Sequence, residues 1–137
     1  MSTQENKAIS RRFREYADET KGTLSTEEFI AEDAIVHMPG NPPVAFEVVV
    51  PMFTMFYSAF SDMHHVFEDQ IAEDDMVVTR VTLHGTHTGD FQGIPATGKS
   101  VSIPAIFFDC IKDGKLVEHW SMMDTMGLMQ QLGVIPA

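Results

Sequence analysis

The second half of the chain alternates strand-like segments with turn signals, and this pattern constrains the fold more than any other feature. Runs rich in β-branched and aromatic residues, each bounded by a turn, predict strands at 64–72, 76–86, 99–111 and 116–123. Asp113-Gly114, between the last two strands, is typical of a hairpin turn. Long strands in direct succession predict an antiparallel meander, and residues 125–132 predict a final helix after it.

Helix-like segments precede this meander. Apolar residues at helical spacing between positions 9 and 17 predict a first helix, and a capping-box pattern predicts a short second helix over 25–30. Residues 34–38 predict a short strand, and Pro51 suits the first turn of a third helix. Helices followed by strands predict an α+β fold, in which a curved antiparallel sheet forms a cone covered by the N-terminal helices.

Composition limits the class of protein. The chain has 137 residues, and we expect a single domain over residues 1–137. Its net charge of −11 disfavours nucleic acids and anionic membranes as partners. The single cysteine, Cys110, cannot form an intramolecular disulfide, and no stretch approaches the ~18 apolar residues of a membrane span. Because the N-terminus also has no apolar signal segment, we expect a cytoplasmic protein.

The strand predicted at 99–111 is apolar on both faces, whereas a strand with one solvated face would alternate. We therefore expect a second subunit to cover the outer face of the sheet, as a homodimer or higher homo-oligomer. Ten methionines fit either a well-filled core or an adaptable pocket for a small hydrophobic molecule. The candidate ligand-binding residues are Met52, Phe56, His87, Phe107, Trp120 and Met122.

Six histidines raise the question of a metal site, but their spacing argues against one. His64 and His65 are adjacent on a predicted strand and therefore point to opposite faces. No His-x-x-x-His pair lies in a predicted helix, and Cys110 has no second cysteine to join it. We expect no metal ligation.

The strand that leads into the final helix holds the candidates for acid–base chemistry. Asp124 shares strand parity with Trp120 and Met122, and desolvation among such side chains raises the pKa of a carboxyl towards the range useful for proton transfer. Asp124 also directly precedes a predicted helix, where aspartate is a favoured N-cap. His119, of opposite parity, and His37, before a proline turn, are further catalytic candidates. A strand histidine such as His119 is more often an exposed or interface residue than a catalyst, and His37 fits a hydrogen bond to the turn as well as a position inside the cone.

Four motifs lie in the second half of the chain: G-T-H-T-G-D-F-Q-G-I-P-A-T-G-K at 85–99, D-G-K-L-V-E-H-W at 113–120, Asp124, and Q-Q-L-G at 130–133. Together with the order of helices and strands, they resemble the SnoaL-like polyketide cyclases. This family belongs to the nuclear-transport-factor-2-like superfamily of α+β cones. The resemblance covers nearly the whole chain and implies that fold.

The resemblance also implies an activity, an intramolecular aldol condensation of an aromatic polyketide ester, without a cofactor and in an oligomeric protein. It places the catalytic carboxylate on Asp124, which would remove a proton α to a carbonyl and return one to the new alkoxide. The family's cyclases carry a histidine on the preceding strand, whereas residues 99–111 have none, and Asp109 and Cys110 lie near that position. The histidines left to replace it are His37, His87 and His119.

Three functions remain open on the sequence. The first is a cofactor-free lyase, isomerase or cyclase acting on a hydrophobic carbonyl compound, with Asp124 as general acid and base. The second is a non-catalytic module that binds a small apolar ligand in the cone. The third is a hydrolase that activates water with carboxylates, but no Asp-Arg-Asp set falls on matching strand faces, since Arg80 is the only central arginine.

Overall fold

Six strands and three helices make up residues 2–23 and 29–136, the part of the chain that the computed structural model describes. In chain order they are α1 (Thr3–Thr20), β1 (Ile30–His37), β2 (Val44–Ala45), α2 (Phe46–Ala59), β3 (His64–Glu73), β4 (Met76–Thr86), β5 (Ser100–Lys112), β6 (Lys115–Met123) and α3 (Thr125–Leu132). The strands form one sheet in the order β2-β1-β6-β5-β4-β3. Only β1 and β6 are parallel neighbours. The predicted α+β fold is therefore confirmed, and no helix in these residues is long and apolar enough to cross a membrane.

Helix α1 begins and ends at residues suited to those positions. Ser2 is its N-cap, and Ser2 and Glu5 exchange the two hydrogen bonds of a capping box. At the other end the chain turns through Lys21 and Gly22, whose φ angles are 55° and 79°. A Cβ on Gly22 would lie 2.8 Å from the backbone of Phe53, so the turn and the close approach of α2 both require glycine. Helix α1 then packs over β3, β4 and β5.

Strand β5 separates the core from an exposed apolar surface. Its residues at odd positions from 101 to 109 are buried beneath the helices. On the opposite face, Ile106 and Phe108 are 43% and 45% exposed. The strand register places Phe108 beside Val78 of β4 and Trp120 of β6, so the apolar surface continues across three strands. Of the two apolar faces predicted for this strand, the inner face is therefore buried in the core and the outer face is partly exposed to solvent.

Two predicted helix boundaries are wrong. Helix α2 begins at Phe46, so Pro51 lies inside the helix rather than in its first turn. Pro51 lacks an N–H to bond the carbonyl four residues before it, a cost that burial of Phe46 and Val49 in the core offsets. Ile30 starts β1 rather than continuing a helix, because it is buried and pairs with Leu116 of β6. The rest of that short helix, 25–28, lies outside the described residues.

A second copy of the chain is predicted to pack on the outer face of β5. Phe108→Asp should then convert an oligomer to a monomer in size-exclusion chromatography with light scattering, because an unpaired buried charge is costly. Ser100→Asp, at the end of the same strand, is the matched control and should leave the oligomer intact. A wild-type protein that elutes as a monomer at all concentrations would contradict the prediction.

Candidate active site

A cavity of about 440 Å³ lies between the inner face of the sheet and the three helices. This volume suits a small organic molecule. Its wall is mostly apolar, formed by Phe13, Ala17, Met38, Met52, Phe53, Met55, Phe56, Met63, Leu83, Phe91, Phe107, Met122, Met123 and Leu128. A few polar side chains interrupt this surface, among them Arg14, Tyr57, His65 and His119. The cavity is thus built for an apolar compound that meets a small number of fixed polar groups.

A completely buried carboxylate stands behind one part of this wall. Asp109 of β5 is 0% exposed, and its Oδ2 accepts hydrogen bonds from Arg14 Nη1 and Ser10 Oγ, both at 2.5 Å. Its Oδ1 lies 3.2 Å from Arg14 Nη2, which donates to it, and 2.6 Å from His119 Nδ1. The guanidinium of Arg14 is itself 2% exposed. Helix α1 and strands β5 and β6 therefore meet at a single buried ion pair.

Asp109 is ionised despite its burial. Burial alone raises the pKa of a carboxyl, but the charge of Arg14 and the hydrogen bond from His119 outweigh it. The pKa of Asp109 consequently lies well below its usual range. An ionised carboxylate can only accept, so the proton in the contact with His119 belongs to Nδ1 of the imidazole.

The contact with Asp109 occupies Nδ1 of His119 and leaves the second ring nitrogen, Nε2, available. In the neutral form of the ring, the single proton then lies on Nδ1 and Nε2 carries a lone pair. The ring packs between Phe107 and Phe13, with centroid distances of 5.7 Å and 6.4 Å, and it lines the cavity. Among residues 2–23 and 29–136, Nε2 has no hydrogen-bond partner. This is the geometry of an imidazole base that faces a ligand site.

A second carboxylate–histidine pair lies at the same cavity. Asp18 of α1 lies 2.8 Å from Nδ1 of His65, accepts the His65 backbone N–H at 2.9 Å, and accepts the Tyr57 hydroxyl at 2.6 Å. Both His65 and Tyr57 line the cavity. The ring of His65 lies 6.0 Å from that of Phe107, the same ring that His119 contacts. Phe107 thus stands between two histidines that belong to different strands.

Five of the predicted site residues line the cavity. His119 was a catalytic candidate, and the other four were candidates for ligand contact: Met52, Phe56, Phe107 and Met122. Met122 is also 64% exposed, so it lies where the cavity meets solvent. These positions are compatible with the predicted roles.

Three predicted site residues lie elsewhere. The rings of His37 and Trp120 stack on each other, with centroids 4.6 Å apart and planes 4° apart, and His37 Nε2 lies 2.5 Å from Glu118 Oε2. This stack belongs to the outer face of the sheet, because its neighbour in the register is Phe108. His87 is 0% exposed, and its Nδ1 accepts the backbone N–H of Thr97. None of the three is a cavity-lining residue.

Asp124 is the N-cap of α3. Its Oδ1 accepts the backbone N–H of Gly127 at 2.8 Å, and the residue is exposed. Its neighbours Met123 and Thr125 line the cavity, but Asp124 does not. One oxygen of this carboxylate is thus committed to the helix terminus, the structural role that its position in the sequence also allowed. Its acid–base role stays a prediction.

The adjacent histidines of β3 occupy different environments. His64 is exposed, and its Nδ1 lies 3.1 Å from the backbone oxygen of Asp62. His65 lies at the cavity wall on the other face. Within residues 2–23 and 29–136, no group of three or more His, Cys, Asp or Glu side chains could hold a metal ion.

The polar residues that hold the histidines were not predicted from the sequence. Arg14 and Ser10 lie four residues apart on the buried face of α1, and a cation on such a face signals a buried partner. Asp109 has the same parity as the inward residues of a strand that is otherwise apolar. Both signals were present in the sequence, but nothing local joins two residues that are 95 positions apart.

Comparison with known proteins identifies the family. A model of the SnoaL-like polyketide cyclases matches residues 7–132. The chain is also 34% identical over 108 residues to aklanonic acid methyl ester cyclase DnrD from Streptomyces peucetius, a match that covers 77% of this chain and 72% of DnrD. The chain therefore belongs to the SnoaL-like polyketide cyclases, and the resemblance drawn from its motifs is confirmed.

Solved structures share the fold over nearly the whole chain. AclR from Streptomyces galilaeus, a proposed hydroxylase, has a TM-score of 0.89 and 28% identity, covering 99% of this chain and 85% of AclR. IdmH from Streptomyces antibioticus, a proposed polyketide cyclase, has a TM-score of 0.83 and 28% identity, covering 93% of this chain and 98% of IdmH. Because two different activities are proposed for one fold, the reaction has to be argued from the site.

Neutralising the buried carboxylate should destabilise the protein strongly. Asp109→Asn leaves Arg14 buried without its counter-charge, which typically costs about 3–5 kcal/mol in the free energy of unfolding. The control is Asp69→Asn, which breaks the exposed ion pair with Arg80 and should cost at most about 1 kcal/mol. Urea denaturation measures both values. Equal, small losses in the two variants would show that the buried pair does not hold the fold together.

The same carboxylate should make stability depend on acid pH. Since the pKa of Asp109 is lower in the folded state than in the unfolded chain, its contribution is complete at neutral pH and decreases as pH falls below about 5. The free energy of unfolding should therefore fall less steeply with acid in Asp109→Asn than in the wild-type protein. Parallel curves between pH 3 and 7 would contradict this assignment.

Proposed function

We propose that this protein is a cyclase that transfers a proton within a hydrophobic carbonyl compound bound in the cavity, with His119 as the general base. The observation that carries the proposal is the setting of His119. Its Nδ1 is fixed on the buried Asp109, while Nε2 faces the cavity without a hydrogen-bond partner among the described residues. A base must reach the proton that it removes, and the position of His119 at the cavity wall supports this role.

The proposed reaction is an intramolecular aldol ring closure. A proton leaves the carbon α to one carbonyl for Nε2 of His119, and the electron pair left on that carbon forms a bond to a second carbonyl carbon of the same molecule. The oxygen of the second carbonyl becomes an alkoxide and takes the proton back from Nε2. Substrate and product have the same atoms, and every step uses only side chains of the protein, so the proposal includes no cofactor.

Asp109 supports this reaction from behind the imidazole. When His119 takes the proton, its ring becomes a cation that lies 2.6 Å from an ionised carboxylate. The carboxylate stabilises this cation and keeps the ring oriented, and it keeps Nδ1 rather than Nε2 protonated at rest. Because the pKa of Asp109 is far below neutral, Asp109 itself does not take up the proton.

The apolar wall supplies the second requirement, a site with little water. Six methionines and five phenylalanines line the cavity, so a bound enolate would be surrounded by apolar groups. Exclusion of water prevents a premature proton from reaching the carbanion. The volume of about 440 Å³ is within the range of small-molecule sites.

Aklanonic acid methyl ester is the first substrate to test, because the relative DnrD is named for its cyclisation. His119→Asn places an amide nitrogen where Nδ1 stood and so keeps a donor to Asp109, but it removes the base. We expect kcat/KM for ring closure to fall by at least about 100-fold. Asp124→Asn should retain close to wild-type activity, because asparagine is also a favoured N-cap.

The variants distinguish the two candidate bases directly. Full activity in His119→Asn, or its loss in Asp124→Asn with the fold intact by circular dichroism, would overturn the role of His119. The methionine-rich wall also favours the second function, a non-catalytic module for a small apolar ligand. Recovery of the unchanged ester from its complex with the wild-type protein would support that alternative.

A further inference from the structure

We propose that His65 is a specificity-determining residue that accepts a hydrogen bond from a hydroxyl group of the bound compound. This inference rests on the proposed function only for the kind of ligand, a hydrophobic carbonyl compound. It assigns no proton transfer to His65. The structural basis is the second carboxylate–histidine pair, which lies on the far side of Phe107 from His119.

Asp18 fixes the position of the proton on His65. The carboxylate accepts the hydroxyl of Tyr57 at Oδ1 and the backbone N–H of His65 at Oδ2. Burial raises the pKa of Asp18, but the hydrogen bonds from His65 and Tyr57 outweigh this effect and lower it overall. Since an ionised carboxylate only accepts, the contact of 2.8 Å with His65 Nδ1 requires the proton on Nδ1.

His65 is therefore a hydrogen-bond acceptor at its free nitrogen. Its side chain is 10% exposed, and burial lowers the pKa of the imidazole more than Asp18 raises it. The charge of Arg14 also lowers this pKa. At neutral pH the ring is uncharged, so Nε2 carries a lone pair and no proton. Within the described ranges, Nε2 makes no hydrogen bond to the protein.

Tyr57 adds no donor to this part of the wall. Its hydroxyl proton is committed to Asp18, and burial together with that carboxylate raises the pKa of Tyr57 far above its usual value. The nearby Arg14 directs Nη1 and Nη2 to Asp109 and Ser10. The Nε–H of Arg14 has no partner among the described residues, but it is inaccessible to solvent. The accessible polar atom at this end of the cavity is therefore the acceptor Nε2 of His65.

The complementary ligand group is an O–H donor. A free hydroxyl on an aromatic ring or an enol can donate to Nε2 of His65 while its carbon skeleton contacts Phe107. Sites that hydrogen-bond a substrate hydroxyl discriminate strongly against analogues that lack it, because the buried acceptor is otherwise left unpaired. His65 would thus select hydroxylated carbonyl compounds over their methyl ethers.

The test compares two probes, 2-hydroxyanthraquinone and 2-methoxyanthraquinone, by equilibrium binding. We expect the wild-type protein to bind the hydroxy compound at least about 10-fold more tightly. His65→Asn keeps a donor to Asp18 but removes Nε2, so it should bind both probes with similar affinity. His64→Asn, on the exposed face of the same strand, is the matched control and should keep the wild-type preference.

The outcomes separate this inference from the proposed function. Binding of both probes with no preference in the wild-type protein, or an unchanged preference in His65→Asn, would overturn the role of His65 alone. No binding of either probe would refute the ligand class as well. If His65→Asn does not fold, the wild-type protein carries the test by ¹⁵N NMR. The Nε2 resonance of His65 should then move on binding the hydroxy compound and stay unchanged with the methoxy compound.

Discussion

The buried ion pair between Arg14 and Asp109 is the interaction on which the rest of the structure depends. Both side chains are almost completely excluded from solvent, so their desolvation is expensive and is offset only by close, two-point contact and by further hydrogen bonds from Ser10 and His119. These contacts join α1 to β5 and β6. The position of the first helix over the sheet, and with it the shape of the cavity, follows from this pair.

The ion pair also connects stability to chemistry. An imidazole beside an ionised carboxylate has its Nδ1 proton fixed, and its Nε2 is then free for a ligand. The protein uses this arrangement twice, with Asp109 behind His119 and with Asp18 behind His65. The two pairs differ in charge, because Arg14 balances Asp109, whereas Asp18 is held by neutral donors, its own histidine and Tyr57. The two pairs have similar geometry but different proposed roles. His119 would act as a base at one end of the cavity, and His65 would accept a hydrogen bond from a ligand hydroxyl at the other.

Much of the fold could be predicted from the sequence because it depends on local patterns. Strand β4 and helix α3 have the predicted boundaries, β3 and β6 differ from the prediction by one residue at one end, and β5 differs by one residue at both ends. In β6, His119 and Met123 line the cavity, whereas Trp120 packs on the outer face. The expected desolvation of Asp124 beside Trp120 and Met122 is not found, because Asp124 is exposed. The sequence did not show which face of β6 lines the cavity. That choice depends on the parallel pairing of β6 with β1 and on the cover provided by α1, both long-range contacts.

The site was predictable only in part for the same reason. His119 and Phe107 could be named because they belong to two strands whose bounds are readable from the sequence. Asp124 has two possible roles in the sequence, and the structure places its carboxylate on the backbone of α3. Arg14 and Asp109 each interrupt an otherwise apolar face, but their pairing is a property of the folded chain. Tyr57 and His65 meet at Asp18 through three separate elements, and no local pattern marks that meeting.

Buried Asp109 and partly buried Asp18 are proposed to hold the proton of each cavity histidine on Nδ1 and to leave Nε2 with a lone pair. Long-range ¹H–¹⁵N NMR of the histidine rings at neutral pH measures this directly, because protonated and unprotonated ring nitrogens have well-separated ¹⁵N shifts. The account predicts a protonated Nδ1 and an unprotonated Nε2 for His119. A neutral ring with its proton on Nε2, or an imidazolium at neutral pH, would contradict it, since no free base would then face the cavity.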